Sequence, residues 1–486
     1  MRAGGWTLLI ISVALVGGCV SPVSAPPEVP FEVPSEWSAG GVQASGPSLA
    51  PWWRRFDDPS LDALVQEALQ QSPTLDAARA RLRAAVGVAR LAGADSKPQA
   101  DLSLDGVRRQ QNFIGLPIPG TEGQVLTNTS TNLGLSINAA WEIDLWGRLA
   151  TGRDAASVRS DAATEDLAAL QLSLVGQVTK AWFGWLEARQ QVGLAEETLS
   201  NRSRTRQQIE DRYRLGLRTA LDLRLAKANE ADARAQLSVR RQNADRTARR
   251  LEVLVARYPA GDSLELGDEV QGLPEMPELP ALASSQPAVL VTQRPDLAAA
   301  ERRLAAAGLD VQGARAALYP RLRLSGSVGG SSVDLEDLLD TDFSVWSLAA
   351  GLLQPIFQGG RLRATVDIAE ARRQEAAAGY ISAALGAFSE VEGALAAENY
   401  LDARLRALTD ASEQSLAARE LAERRYRSGL ADYLTVLESQ RLATLSQSQL
   451  LTSRREQLDA RTDLHLALGG DHAGTDEQVL SNDETH

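Results

Sequence analysis

One cysteine, Cys19, stands in a chain of 486 residues, so no intrachain disulfide can form. Histidine is almost as scarce, with His465, His472 and His486 alone, the last two in the C-terminal tail. No P-loop, His-Glu-x-x-His or Gly-x-Ser-x-Gly occurs, and Ser325 to Gly330 is only a glycine-rich strand-and-loop stretch. The usual catalytic and metal-binding constellations are therefore missing, and no catalytic residue, metal ligand or cofactor is expected. Lysines are few, no basic block stands out, and the net charge is −13, which argues against nucleic acid as a partner. Proline is absent between Pro119 and Pro259 and again after Pro355. Those two spans are free to form long helices, and they are rich in the helix formers Ala, Leu, Arg, Gln and Glu.

The N-terminus has its own composition. Arg2 precedes an apolar run from Trp6 to Val16, followed by Gly17, Gly18 and Cys19. The run is shorter than the roughly 20 residues a bilayer-spanning helix needs. A charged start, a short apolar stretch and small residues form a secretory signal over 1–18, and the placed cysteine resembles a bacterial lipoprotein signal with Cys19 as the lipidated residue. An ordinary signal with an incidental cysteine is the alternative. Residues 19–51, with Pro26, Pro27, Pro30 and Pro34, read as an extended tether. The polar, acidic stretch 471–486 reads as a disordered tail.

The body of the chain says nearly the same thing twice. Ser72-Pro73-Thr74-Leu75-Asp76-Ala77-Ala78 is answered by Arg294-Pro295-Asp296-Leu297-Ala298-Ala299-Ala300, each followed by an Ala-rich run. Gly147-Arg148-Leu149 is answered by Gly360-Arg361-Leu362, and Arg212-Tyr213-Arg214-Leu215-Gly216 by Arg425-Tyr426-Arg427-Ser428-Gly429. From Gly147 to Tyr213 and from Gly360 to Tyr426 the spacing is 66 residues both times. A repeat this long is half a protein duplicated, here over 52–258 and 294–470 with a Pro-rich linker at 259–293.

Each half carries two periods. Leu167, Leu170, Leu174, Val178, Trp182 and Trp185 recur in steps of three and four, the seam of a long packed helix. The spacing predicts long helices over 147–214 and 360–427, a turn at Gly216 and Gly429, and return helices over 219–257 and 432–468. Thr219 with Asp222 reads as a capping box, and Asp432 caps the second copy. By periodicity alone a long solvent-exposed coiled coil fits equally. Before each long helix the period becomes two: Leu133, Leu135, Ile137, Ala139, Trp141, Ile143 and Leu145 alternate with small or polar residues. Strands are expected at about 98–111, 131–146, 321–333 and 344–355, joined in pairs by Gly115 to Asn128 and by Gly329-Gly330-Ser331-Ser332 onward. Such long amphipathic strands suit a membrane barrel, yet four cannot close one, so a membrane-embedded chain of this kind must oligomerise.

Arg294-Pro295-Asp296-Leu297 with Ala300-Glu301, Tyr319-Pro320 before a strand, Trp141-Glu142-Ile143-Asp144-Leu145-Trp146-Gly147-Arg148 and the two Tyr-x-x-Gly turns together resemble TolC-like outer-membrane efflux proteins. The lipoprotein signal resembles the OprM-like branch that partners RND-type pumps. The resemblance implies a mainly α fold with membrane β: a homotrimer with a 12-stranded β-barrel continued by a 12-helix α-barrel and an equatorial collar. It implies a lipid-anchored outer-membrane exit duct reaching into the periplasm, with a periplasmic adaptor and an inner-membrane RND pump as partners and outer-membrane lipid around the barrel. A lipid-anchored periplasmic coiled-coil or adaptor protein, or the exit duct of a type I secretion system, is the alternative. The resemblance also assigns sites. Asp222, Leu434, Thr435 and Glu438 fall at the periplasmic gate, where Thr435 replaces a second ring aspartate. Arg212, Tyr213, Gly216, Arg425, Tyr426 and Gly429 fall at the tips that lock the mouth and meet the adaptor.

Overall fold

The computed structural model describes residues 33–35, 37–39, 51–113, 126–261 and 294–470. The signal with Cys19, most of the tether, nearly all of the Pro-rich linker and the C-terminal tail lie outside the described residues. After α1 (Pro59–Gln71) one plan runs twice. The first copy is α2 (Pro73–Ala94), β1 (Gln99–Phe113), β2 (Leu126–Ile143), α3 (Arg148–Arg214) and α4 (Ala220–Leu254). The second is α5 (Pro295–Ala316), β3 (Arg321–Ser332), β4 (Ser344–Leu353), α6 (Arg361–Arg427) and α7 (Tyr433–Ala467).

Corresponding helices have equal lengths: 22 residues in α2 and α5, 67 in α3 and α6, 35 in α4 and α7. At 1.5 Å per residue the long helices reach about 100 Å. Helices laid side by side must agree in length or leave apolar surface uncovered at one end, so insertions are tolerated only outside them. Pro73 and Pro295 open their helices where a missing N–H is harmless. α3 packs along its length against α2, α4, α5 and α7, whereas α6 packs mainly against α5 and α7 and touches the first hairpin only near the tips. The wall of helices therefore has α2 and α4 at one open edge and α6 at the other.

The four strands form one antiparallel sheet in the order β1-β2-β3-β4. Several boundaries differ from the sequence reading. Leu126 to Asn128, expected in the first loop, pair with β1 as far as Phe113↔Leu126. Gly329 to Ser332, where the strand expected over 321–333 overlaps the start of the expected second loop, are strand: they end β3 and pair with β2 through Leu133↔Ser332. Glycine and serine carry little strand propensity, and here the neighbouring strand holds them in register. β2 also stops at Ile143, short of 146, because Asp144 accepts the Ala150 N–H at 2.7 Å and Gly147 adopts φ 74°, turning the chain into α3. The first return helix ends at Leu254 rather than near 257. There Ala256 is left-handed at φ 61°, where its repeat counterpart Gly469 has φ 88°. For alanine this conformation costs about 1–2 kcal/mol.

The main core lies at mid-height. α1 and the short 3-10 turn Trp52–Phe56 cover one face of α3, burying Leu61, Leu64 and Val65 against Val178, Trp182, Phe183 and Leu186. Asp58 does two jobs there. One carboxylate oxygen caps α1 through Ser60 and Leu61, and the other accepts the Trp182 indole N–H at 2.7 Å. Arg257, just past α4, grips Glu67 of α1 with bonds of 2.8 and 2.6 Å. Together these make a collar around the outside of α3. The Trp37–Ala39 segment adds to it on α6, where Glu392 accepts the N–H groups of Ser38 and Ala39 at 2.8 and 2.9 Å.

Between α3 and α7 the contact joins the buried Leu458 and the partly buried Leu466 to a run of polar links. Thr452 donates to Glu187 at 3.0 Å, Gln191 to the Ser448 carbonyl at 3.0 Å, and Lys180 pairs with Asp463. Asp459 pairs with Arg455, yet burial, with Asp463 and Glu187 nearby, outweighs the cations Arg455 and Lys180 and pushes its carboxyl up to about 6.

Two predictions follow from this packing. Trp182→Ala removes a fully buried indole and leaves an Asp58 oxygen without its donor; it should destabilise each subunit by about 3–5 kcal/mol, read as a lower melting temperature by circular dichroism. Asp459 ionises near 3.8 when unfolded and near 6 when folded. Its stabilising contribution is complete below 3.8 and lost as pH rises through 6. Compared with Asp459→Asn, the native protein should therefore lose stability between those pH values, by about 3 kcal/mol at most. Parallel melting curves of the two proteins across that window check this.

Candidate functional site

The sheet has two chemically distinct faces, set by its register. Antiparallel partners point the same way, so Leu104↔Leu135, Leu102↔Ile137↔Val328↔Trp346 and Trp141↔Leu324↔Ala350 all share one face. That face is apolar and bare, with Trp346 78% and Leu348 79% exposed in the single chain. The other face carries Asp101, Ser103, Ser136, Asn138, Ser327 and Ser347. Its members bond to each other: Ser103 to Ser136 at 2.9 Å, Asn138 to Ser103 at 3.0 Å and Ser327 to Ser347 at 2.8 Å. At the helix end of the sheet, Trp146 stacks on Tyr319 at 5.0 Å and donates to the Pro320 carbonyl, and Trp141 donates to the Ser96 carbonyl. Aromatics with an apolar body and a satisfied N–H suit a membrane–water boundary. β1 and β4 each present an unpaired edge.

The helical wall is equally two-sided. Opposite the collar-covered face, α3 carries Ser173, Gln177, Lys180, Gly184, Gln191, Thr198 and Arg202 in steps of three, four and seven. α7 answers with Leu434, Glu438, Arg441, Leu445, Ser448, Thr452, Arg455 and Asp459 at the same spacing. This stripe runs from mid-height to the hairpin tips.

At the tips Gly216 and Gly429 are left-handed at φ 74° and 75°, closing α3 and α6 with Leu217 N–H to Arg212 carbonyl and Leu430 N–H to Arg425 carbonyl, both 2.8 Å. The next helices open on caps. Thr219 and Asp222 form a reciprocal capping box with bonds of 3.2 and 3.3 Å, and Asp432 accepts the Thr435 N–H at 2.8 Å and its hydroxyl at 2.6 Å. Those hydroxyl and N–H donors hold Asp432 below the usual carboxylate range. Leu215, Leu217, Leu221, Leu430 and Leu434 are exposed.

The two tips meet unequally. Tyr426 is buried with Ile209, Ala226 and Tyr433 between the hairpins, while its counterpart Tyr213 is exposed. Arg212 and Arg218 of the first hairpin lie over the Tyr426 ring at 5.4 and 4.6 Å, and Arg212 also donates to the Arg427 carbonyl at 3.3 Å. Burial raises the Tyr426 hydroxyl and pushes that of Tyr433 up to about 12. Leu434 and Glu438 share an exposed face, but Glu438 is not a lone carboxylate. Arg441, one turn on, binds both its oxygens at 3.0 and 2.7 Å and holds it below the usual range.

Arg218 and Arg441 were absent from the sequence-based set. An arginine three residues after a candidate gate glutamate is a readable signal. Arg218 had none, because its partner lies 208 positions along the chain. Among the described residues no cluster of metal-ligating side chains occurs.

The sheet, wall and tips match known proteins as a set. The profile described as outer membrane efflux protein matches residues 64–257 and 288–470. The pyoverdine export outer membrane protein OpmQ of Pseudomonas putida is 35% identical over 95% of this chain and 96% of its own length. The outer membrane protein OprJ of Pseudomonas aeruginosa is 32% identical over 96% of each. The solved outer-membrane channel OprN superposes with a TM-score of 0.83 at 28% identity, covering 92% of this chain and 99% of that one. VceC of Vibrio cholerae does so with a TM-score of 0.78 at 28% identity, covering 87% and 99%. Match and geometry together make the chain a member of the outer membrane efflux protein family, with the fold of the TolC-like trimeric channels.

Proposed function

We propose that this protein is the outer-membrane exit duct of a tripartite efflux system, passively carrying small molecules delivered by an RND-type pump through a periplasmic adaptor. One observation carries this reading: a four-stranded sheet, apolar on one face and hydrogen-bonded polar on the other, continues into a helical wall with open edges at every level. β1 with α2 and α4 edges one side of the chain, and β4 with α6 edges the other. β1 and β4 run antiparallel, so β4 of one subunit can pair with β1 of the next. Four strands fall short of the roughly eight a closed barrel requires, and three copies supply twelve. The apolar face then meets lipid and the polar face lines water. An adaptor or a solvated coiled coil has no use for such a sheet.

Lipid attachment at Cys19 fits the dimensions. From Cys19 to Trp37 is 18 residues, a reach of about 56 Å if extended. Glu392, which holds the segment after Trp37, lies 31 residues along α6 from its membrane end, about 47 Å. A chain anchored at Cys19 is long enough to cover that distance.

The six leucine- and arginine-bearing hairpins of the trimer form the periplasmic mouth and the adaptor's landing surface. Arg212, Tyr213, Gly216, Arg425, Tyr426 and Gly429 belong to that surface, and Asp222, Leu434, Thr435 and Glu438 to the gate. Arg212 and Arg218 over Tyr426 hold the two hairpins of one subunit together, and the Glu438–Arg441 pairs ring the opening.

The oligomer should run as a heat-labile trimer on gel electrophoresis of outer-membrane fractions. Monomers released by high salt would refute the duct. In planar bilayers, Asp222→Ala combined with Glu438→Ala should raise single-channel conductance and weaken block by multivalent cations. Unchanged conductance and block would place both residues on an ordinary helix surface.

A further inference from the structure

Just above the Glu438–Arg441 pair, α3, α4 and α7 enclose a cavity of about 240 Å³ lined by Arg202, Arg240, Arg441, Thr198, Thr444 and Leu445, among others. It sits on the polar stripe of the wall. That stripe faces away from the α1 collar, and an added layer fits only outside a closed ring of helices, so the cavity opens to the bore.

We propose that this cavity is a binding subsite for carboxylate-bearing organic solutes on their way through the duct. It deepens the duct reading and rests on it for the direction the cavity faces. Three guanidinium groups converge there against Asp232 and the Glu438 already taken by Arg441. The Arg202 side chain is only 14% exposed; it donates to the Asn229 carbonyl at 3.2 Å and stands 3.6 Å from Asp232. Its Nε is buried without an acceptor. That atom is closed to the cavity, and a planar carboxylate pairs instead with the guanidinium donors that line it. Arg240 has no hydrogen-bond or carboxylate partner among the described residues. The hydroxyls of Thr198, Thr444 and Ser448 already donate to the Leu194 and Gln440 carbonyls and to Gln191, so the arginines carry the anion recognition, and Leu194, Ala195, Ala233 and Leu445 offer an apolar wall to the solute's frame. The site therefore fits a small amphiphilic anion better than a bare inorganic one. Three such sites ring the bore immediately past the mouth, where they would raise the local concentration of anionic solutes and retain a neutral analogue poorly.

The test uses the full-length, detergent-purified trimer with benzoate as probe and benzamide as its uncharged isostere. Ligand-observed NMR should show saturable benzoate binding and weaker or no binding of benzamide. Arg240→Gln removes a charge with no hydrogen bond or ion pair among the described residues and should weaken benzoate binding about tenfold. Arg202→Gln with Arg240→Gln should abolish it, with the heat-labile trimer retained. Equal binding of benzoate and benzamide, or benzoate affinity unchanged in Arg240→Gln, overturns the subsite. Bilayer conductance separates the two readings. A protein that conducts but binds no benzoate overturns the subsite alone. One that binds benzoate through Arg240 but never conducts overturns the duct alone.

Discussion

Everything above the hairpin tips depends on the unpaired edges of β1 and β4. In hydrocarbon an unbonded backbone N–H or carbonyl costs several kcal/mol, and each edge carries a row of them. Lipid tolerates the apolar face of this sheet only if another strand takes up each edge. Ring closure with further copies is thus a condition for the strands to exist in a membrane at all. Once the ring closes, the helices beneath it inherit the closure: α6 must meet the next subunit's α2 and α4, because those are the edges the chain leaves bare. The matching lengths of α3 with α6 and of α4 with α7 follow, since a wall of uneven staves would expose apolar seams.

The collar answers a different demand. A single layer of helices has no interior, so each stave is buried on its flanks and wet on both faces. Among the described residues, the place where a second layer covers the wall is also where the large buried aromatics gather, Trp52, Phe56, Trp182 and Phe183. Between that layer and the tips, hydroxyls, amides and ion pairs join the apolar contacts along the α3–α7 seam. Such a seam is compatible with a water-filled bore, and it leaves Asp459 in an environment that resists ionisation.

Much of this was legible in the sequence because the signals were periodic. The alternation from Leu133 to Ile143 marks one apolar strand face by itself, and the 66-residue spacing matches the long helices to within a residue or two. What stayed hidden depends on partners distant in the chain. Gly329 to Ser332 read as strand and loop at once, because their composition is turn-like and their strand pairing comes from β2. Asp222 and Asp432 could be read as caps because capping is local. The cavity of Arg202, Arg240 and Arg441 could not be read, since it joins three helices across more than two hundred positions.

The duplicated tips show most plainly where local sequence stops deciding. Tyr213 and Tyr426 sit in nearly identical motifs, on helices of one length, before glycines of one conformation. One ring is exposed, and the other is enclosed between hairpins under two guanidinium groups. The difference arises because each hairpin has the other as its neighbour on one side only. A duplicated element placed in a ring cannot have both neighbours alike within a single chain. Copies that began alike therefore face different surroundings: the first supplies the arginines and the second the tyrosine they cover. A mouth built from three such pairs has six hairpins of two kinds. Loosening the Arg212 and Arg218 grip on Tyr426 would free hairpins in alternation around the ring, so such a mouth should open with three-fold rather than six-fold character.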